Sequence, residues 1–222
     1  MDKKQQFNEF DKVLLNEDKP SIFFEKLMNN GKFPSEYPFN MLSDLKNVNQ
    51  SKEHHPEGNV WNHTMLVIDE AAKRKNNSKN KRVLMWAALL HDVGKAHTTK
   101  FKKGRYTAYN HDKVGAEMAE EFLKEFTSDY EFISEVKKMI FYHMHIMFIV
   151  KELPFGDIKS MIKDIDLNEL ALLGYSDRLG RGNLKKDIIE KEEKNVKMFL
   201  EISKNYKRKY LYSWKEVNCI EE

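Results

Sequence analysis

An apolar segment that ends in two ionisable residues is the most restrictive feature of the sequence. Residues 83–90 read Val-Leu-Met-Trp-Ala-Ala-Leu-Leu, and His91 and Asp92 follow at once. A run this apolar predicts a helix that is buried on most sides, and Gly94 is expected to end it. An imidazole and a carboxylate are costly to bury without partners, and a divalent metal would satisfy both. One His-Asp pair proves little, because such pairs also occur by chance.

Further ionisable residues lie at or near predicted helices and share their apolar faces. They are His63, His111, His143 and Asp177. Residues three or four apart lie on one helical face, as His63 does with Val67 and Ala71, so these groups are expected to point toward the core. Taken singly, each is as well explained by a satisfied core histidine or a capping aspartate. Their convergence on the His91-Asp92 pair would make a metal site.

Three short motifs resemble those of a known superfamily. They are HPEGNVWNH at residues 55–63, LHDVGK at residues 90–95 and DRLGR at residues 177–181. Their order is similar to that of the HD superfamily of metal-dependent phosphohydrolases, and in particular to the HD domain carried by bacterial CCA-adding tRNA nucleotidyltransferases and their stand-alone relatives. The resemblance covers about residues 33–181. It implies an all-α helical bundle.

The resemblance also implies a set of metal ligands. His63, His91, Asp92 and Asp177 match the family's ligands, and His111 and His143 match positions that bind a second metal or the substrate phosphate in binuclear members. These nitrogen and carboxylate donors suit Mn, Fe, Ni, Co or Zn better than Mg alone. We therefore expect one or two divalent transition-metal ions, with Asp92 as a possible bridge between two.

Basic residues near the predicted metal site are candidates for binding phosphate. Lys95 follows the ligand pair and Arg178 adjoins Asp177, so both are assigned catalytic roles beside Asp92, and Arg178 is preferred to Arg181. Lys95 has an alternative explanation as an ordinary lysine after a helix end, where positive charge is favoured.

A β-hairpin is predicted within residues 97–109, where Thr, Phe and Tyr flank a Lys-Lys-Gly-Arg turn. It would insert between the ligand pair and His111, at the rim of the metal pocket. Its basic residues are Lys100, Lys102, Lys103 and Arg105. We expect them to recruit substrate phosphates; the alternative is that they form only a solvated turn.

The remaining histidines are given lesser roles. On one helix His143 and His145 would differ by about 200°, so both cannot face one metal, and His145 is expected at the surface or the edge of the core. His55 opens the first motif and is expected to help to orient the first ligand. No role is assigned to His54 or His97.

Length and composition favour a cytoplasmic protein without membrane contact. The chain has 222 residues, a formal net charge of +3 and one cysteine, Cys219, which excludes an internal disulfide framework. It begins without an apolar leader, and no run approaches the length of a membrane span.

We divide the chain into N-terminal short helices and a connector (residues 1–58), an HD core (59–182), and a C-terminal amphipathic helix and tail (183–222). Helices are expected at residues 7–15, 20–28 and about 184–206.

The resemblance implies 2′,3′-cyclic phosphodiesterase or phosphatase activity on nucleotides or RNA ends. A nucleotidyltransferase is not expected, because the one Asp-x-Asp, Asp164-Ile-Asp166, lacks a preceding Gly-Ser pair and lies late in the bundle. The favoured hypothesis is a metal-dependent phosphohydrolase that acts on a nucleotide or another small phosphoester, with an RNA end also possible. The alternative is a non-catalytic nucleotide- or RNA-binding module with a structural metal; Lys95 favours catalysis, since a structural site needs no such lysine.

Overall fold

Over the residues that the structure describes, the protein folds as a helical bundle with one small hairpin. The computed structural model describes residues 2–182 and 184–218, with side chains through residue 210. The helices are α1 (Lys3–Asn16), α2 (Ser21–Asn29), α3 (Asn40–Ser43), α4 (Val60–Ala72), α5 (Lys81–Leu90), α6 (Lys95–Thr98), α7 (His111–Lys124), α8 (Tyr130–Tyr142), α9 (His145–Val150), α10 (Ile158–Asp164), α11 (Leu167–Leu179) and α12 (Lys186–Asn218), and 3₁₀ helices span Asp44–Asn47 and Lys75–Asn77. Strands β1 (Lys100–Lys102) and β2 (Arg105–Thr107) form the antiparallel hairpin. The predicted all-α fold with a hairpin insertion is confirmed.

Helix α5 forms the centre of the bundle. It packs against α1, α4, α8 and α11, and every residue from Val83 to Leu90 is buried. The side chain of Asn80 accepts a hydrogen bond from the Val83 amide and caps the helix start. Trp86, buried within the helix, donates its indole N–H to Asp11 of α1 at 2.6 Å. The predicted buried helix is confirmed, and it holds His91 and Asp92 at the inner end of the bundle.

Gly94 has a different role from the one predicted. Helix α5 ends at Leu90, and Gly94 has φ −62°, which is not the left-handed conformation of a glycine helix stop. A Cβ atom on Gly94 would lie 2.2 Å from the carbonyl oxygen of His111 and 2.5 Å from the amide nitrogen of Gly115. Glycine is therefore required because the backbone after the ligand pair touches the backbone of α7.

The N-terminal segments complete the core. Phe10 of α1 packs edge-on against Phe24 of α2 and Phe39, with ring centroids 4.8 and 5.4 Å apart. The connector predicted from its Pro, Asn and Ser content contains α3 and a 3₁₀ helix, and it buries Leu42 and Leu45. These apolar residues anchor the loop at residues 49–59, which supplies one wall of the candidate site.

Helix α12 covers the C-terminal helices of the bundle. It extends past the predicted limit of residue 206 and packs against α9, α10 and α11, with Phe199 fully buried. Cys219 lies outside the described residues. No helix in the part of the chain that the structure describes is long and apolar enough to span a membrane.

Candidate metal centre and adjoining cavity

All six predicted ligands lie together around the inner end of α5. His63 lies in the first turns of α4, His91 and Asp92 follow α5, and Asp177 lies in the last turn of α11. His111 is the first residue of α7, and His143 directly follows α8. Four of the six are almost fully buried, and His111 and Asp177 are partly open, with 10% and 14% of their side chains exposed.

Three of the histidine rings are oriented by their own stretch of backbone. The Nδ1 atoms of His91, His111 and His143 each lie 2.6–2.9 Å from the carbonyl oxygen three residues earlier. A carbonyl oxygen only accepts hydrogen bonds, so Nδ1 carries the proton in each ring. The Nε2 atoms therefore keep free lone pairs, and all three point into the same space.

His63 is held by two acceptors from different parts of the chain. Its Nδ1 lies 3.0 Å from the carbonyl oxygen of Gly180 and 2.9 Å from Oε1 of Glu57. Its Nε2 faces Oδ1 of Asp177 at 2.9 Å. A carboxylate behind a ligand histidine fixes the ring and raises the basicity of its free nitrogen. Glu57 is therefore an orienting residue that the sequence did not single out.

The predicted orienting role of His55 becomes an indirect one. His55 Nδ1 donates to the same Glu57 oxygen at 2.8 Å, so both imidazoles hold one carboxylate. Burial alone would raise the pKa of Glu57, but the hydrogen bonds from His55 and His63 outweigh it and lower the pKa to about 2. Glu57 is consequently charged and fixed behind the first ligand.

The ligand atoms fall into two groups that share Asp92. In the first group, His63 Nε2 and His91 Nε2 lie 3.7 and 3.3 Å from Asp92 Oδ2. In the second, His111 Nε2 lies 3.4 Å from Asp92 Oδ1 and 3.2 Å from His143 Nε2. A transition metal binds nitrogen and oxygen ligands at roughly 2.0–2.2 Å, which separates neighbouring ligand atoms by about 3–4 Å. Both groups have this spacing.

The charge distribution favours a cation in each group. Within the described part of the chain, His91 Nε2 and Asp92 Oδ1 are buried without a hydrogen-bond partner, a costly state that metal binding would relieve. Two lone pairs also face each other between His111 and His143 at 3.2 Å. The donor set therefore fits one or two divalent metal ions, with Asp92 as the shared ligand.

The pKa values agree with this demand for positive charge. Burial opposes ionisation of Asp92 and Asp177, but His91 and Lys95 around the first, and His63 beside the second, hold both carboxyl pKa values well below their usual range. Burial likewise opposes a charge on His63, yet the Asp177 and Glu57 carboxylates raise its pKa to about 9. Burial lowers the pKa of His143, which keeps this ring neutral and able to bind a metal.

Lys95 lies beside the ligands, as expected, and is held in place. Its Nζ lies 2.7 Å from Asp92 Oδ2 and donates a hydrogen bond to Gln50 Oε1, also at 2.7 Å. Lys95 and Gln50 are both buried and both face a cavity of about 290 Å³ that adjoins the ligands. The Nε2 atom of Gln50 has no hydrogen-bond partner among the described residues, so it is free to donate into that cavity.

The cavity is lined from three sides. The ligand side contributes Asp92, His111, His143 and Asp177. Arg178 and Arg181, which come after Asp177 in the chain, also line the cavity. The other two sides are formed by the loop near residue 50 together with the base of the hairpin, and by a more apolar stretch around α9. Their lining residues include Asn49, Ser51, Thr99, Tyr106, Thr107, Met144, Met147 and Lys151.

The predicted phosphate-binding cations of the hairpin lie outside this lining. Lys100, Lys102, Lys103 and Arg105 are exposed on β1, β2 and the turn between them. The hairpin touches the cavity through Thr99, Tyr106 and Thr107 instead. A small substrate held wholly within the cavity would therefore not contact the four cations, whereas the sequence led us to expect that they recruit substrate phosphates.

The two arginines, of which we preferred Arg178 from the sequence, differ in their contacts. Arg178 donates two hydrogen bonds to Glu192 of α12, at 3.1 and 3.0 Å, so its guanidinium joins α11 to α12. Arg181 forms no hydrogen bond or ion pair with any residue that the structure describes, although its Nε is buried. Burial and the nearby charge of Arg178 lower the pKa of Arg181. Arg181 is thus the arginine available to an anion in the cavity.

His145 differs from its predicted position. Helix α8 ends at Tyr142 and α9 begins at His145, so His143 and His145 do not share one continuous helix. His145 is buried against the rings of Phe141, Tyr142 and Phe148 rather than at the surface. It belongs to neither ligand group, which agrees with the separation of the two histidines expected from sequence.

The sequence of this chain matches the family model described as HD domain over residues 60–179. That span is more than half of the chain. The protein belongs to the HD domain family. The family assignment made from the three motifs is therefore confirmed, and the ligand clusters described above are those of an HD domain able to hold divalent metal.

Curated relatives share the HD region. The chain is similar to the multifunctional CCA protein of Actinobacillus pleuropneumoniae serotype 5b (strain L20), with 38% identity over 104 residues, which is 47% of this chain and 24% of that protein. It is 31% identical to the multifunctional CCA protein of Haemophilus influenzae (strain PittGG) over 134 residues, 60% of this chain and 31% of the relative. The corresponding protein of Pasteurella multocida (strain Pm70) is 30% identical over 139 residues, 62% and 32% of the two chains. The chain thus spans about a quarter to a third of the length of these relatives.

Proposed function

We propose that the protein is a metal-dependent phosphohydrolase that cleaves a phosphomonoester or phosphodiester of a nucleotide or an RNA end. One observation carries the proposal: four imidazole Nε2 atoms and two carboxylates converge at one end of a cavity that also contains unpaired cationic and amide donors. The first set of groups suits a divalent metal, and the second suits a phosphate. The CCA relatives lend support to an RNA end as one form of the substrate.

Each group in the cavity has a definite task under this proposal. His63, His91, Asp92 and Asp177 would hold a divalent metal, with or without a second at His111 and His143, and the bound metal would supply Lewis acidity toward a phosphoryl oxygen and lower the pKa of a water. Arg181 binds the non-bridging phosphate oxygens through its free guanidinium. Lys95, fixed by Asp92 and Gln50, neutralises charge that develops on the phosphoryl group.

The alternative, a non-catalytic nucleotide- or RNA-binding module, requires a closed structural metal site. Structural sites saturate the metal with protein ligands, whereas catalytic sites keep a position open. Here Asp177 and His111 are partly exposed toward the cavity, and Lys95 and Arg181 line it beside the ligands. An open site next to phosphate-binding groups favours catalysis.

A phosphoester panel tests the proposed function. We expect the purified protein, assayed with added Mn²⁺, Ni²⁺ or Co²⁺, to hydrolyse at least one of a series of 2′,3′-cyclic nucleotides, 2′- and 3′-nucleotides and RNA ends. Phosphate release and product chromatography measure the activity, and chelation followed by metal return should abolish and restore it. Inactivity toward the whole panel in protein that demonstrably carries metal would favour the binding module instead.

The two arginines give a matched pair of substitutions. Arg181→Gln is expected to lower kcat/KM about 30-fold, because it removes a charge-assisted contact to phosphate that contributes about 2 kcal/mol. Arg178→Gln is expected to lower the melting temperature by releasing Glu192 of α12, with a smaller effect on kcat/KM. Steady-state kinetics and thermal melting of both variants provide the comparison. A larger kinetic loss for Arg178→Gln would restore our first assignment.

A further inference from the structure

The hairpin of β1 and β2 presents positive charge that has no acidic partner among the described residues. Lys100, Lys102, Lys103 and Arg105 are exposed, and none forms an ion pair with a residue that the structure describes. Residues 93–111 contain five Lys and Arg residues and no Asp or Glu. Some lysines elsewhere on the surface are paired with acids, such as Lys137 with Glu117 at 2.8 Å. The hairpin is therefore a local site of attraction for a polyanion.

Aromatic rings are interleaved with these charges. Phe101 is 64% exposed, and Tyr109, just after β2, is 73% exposed. Phe101 is paired with Tyr106 across the hairpin, with ring centroids 4.8 Å apart, so its ring is held in place although one face is open. Exposed rings close to cations form the surface that binds single-stranded nucleic acids, with bases stacked on the rings and phosphates bound by the lysines.

The hairpin is continuous with the cavity. Tyr106 contacts Phe101 on the outside and lines the cavity on the inside. Between the hairpin and the ligands the lining offers neutral hydrogen-bonding groups from Asn49, Ser51 and Thr107. Such groups suit ribose hydroxyls, by which proteins distinguish RNA from DNA.

We infer that the hairpin binds the last nucleotides of a single-stranded RNA whose terminal phosphate enters the cavity. A free nucleotide would fill the cavity and leave the exposed cations and rings without a ligand. The position of the terminal phosphate rests on the proposed function, whereas the hairpin contacts with the strand do not. The substrate class is then a phosphorylated RNA end rather than a mononucleotide.

Fluorescence anisotropy of metal-loaded protein tests this inference without turnover. The probe is a short single-stranded RNA, labelled at its 5′ end and ending in a non-hydrolysable 3′-phosphonate. Replacing the four hairpin cations with Gln should raise Kd and reduce the slope of log Kd against log salt by about 3, since a single strand contributes about 0.7 per neutralised phosphate. Phe101→Ala with Tyr109→Ala should raise Kd about tenfold through lost stacking.

A second basic cluster provides the matched control. Lys204, Lys207, Arg208 and Lys209 are exposed on α12 and carry the same charge far along the chain from the hairpin. Their replacement with Gln should change Kd by less than about threefold. Equal increases in Kd from replacing either cluster would show that the binding is non-specific electrostatic attraction and would overturn the inference. An equal Kd for DNA of the same sequence would overturn the RNA assignment.

Kinetics separates this inference from the proposed function. The hairpin variants should lower kcat/KM for an RNA with a phosphorylated end while leaving that for a mononucleotide unchanged, because only the strand reaches the hairpin. Equal losses on both substrates would overturn the inference and leave the phosphohydrolase intact. Hairpin-dependent RNA binding by a protein that hydrolyses neither substrate would support the inference while the proposed function failed.

Discussion

Replacing Asp92 with alanine is expected to lower kcat/KM by about four orders of magnitude or more. Its two carboxylate oxygens face different groups, with Oδ2 toward His63 and His91 and Oδ1 toward His111. Loss of the shared ligand removes the metal and with it several kcal/mol of transition-state stabilisation. The variant should remain folded, since it also removes a buried charge whose Oδ1 atom has no hydrogen-bond partner among the described residues. Steady-state kinetics and circular dichroism measure the two effects.

Metal content supplies the direct readout for this prediction. Untagged wild-type protein is expected to carry about one to two equivalents of transition metal, and Asp92→Ala less than about a tenth of that. His145→Ala is the matched control, because His145 is a buried histidine two residues from His143 and belongs to neither ligand group. It should keep both metal and activity. Retention of metal and activity by Asp92→Ala would refute the assigned centre.

Replacing Gly94 with alanine is expected to destabilise the protein by about 3 kcal/mol or more. The added methyl group would overlap the His111 carbonyl oxygen and the Gly115 amide, which are backbone atoms that cannot rotate away. Relief requires α7 to move away from the end of α5, which also moves His111 away from Asp92. Urea unfolding would measure the loss of stability, and metal titration the accompanying loss of affinity.

Gly115→Ala tests the same contact from the other side. A Cβ atom on Gly115 would lie 3.2 Å from the Gly94 amide nitrogen and 3.4 Å from the His91 carbonyl oxygen, a tight but tolerable approach. Alanine also favours the interior of α7 by up to about 1 kcal/mol relative to glycine. The net change should therefore stay within about 1 kcal/mol. Similar stability of the two variants would show that the backbone contact at Gly94 relaxes easily.

The parts of the site that could be predicted from the sequence are those that depend on residues close together in the chain. The positions of His91 and Asp92 follow from one apolar helix, and the ring directions of His91, His111 and His143 depend on carbonyl groups three residues away. Such short-range relations are visible in motifs and periodicity. The residues that cluster at the end of α5 could therefore be predicted, and the all-α fold with its hairpin is confirmed.

Contacts between segments that lie far apart in the chain could not be predicted from the sequence. Arg178 was preferred to Arg181 because it adjoins Asp177, whereas its pairing with Glu192 depends on how α12 packs and was not visible in the sequence. Gln50 lies in a loop without periodicity, and its bond to Lys95 spans 45 positions of the chain. The break in the helix at His143 carried no Gly or Pro signal, so the burial of His145 could not be anticipated.

Three polar groups beside the metal ligands come from outside the span of the HD match. The ligands lie within residues 60–179, the span of the HD match, whereas Gln50 and Glu57 precede it and Arg181 follows it. Under our proposals both the six ligands and the RNA-binding hairpin are encoded inside the family's common region, and only a few supporting groups lie at its margins. A fragment cut to the matched span would therefore retain the ligands and the hairpin while losing Gln50, Glu57 and Arg181.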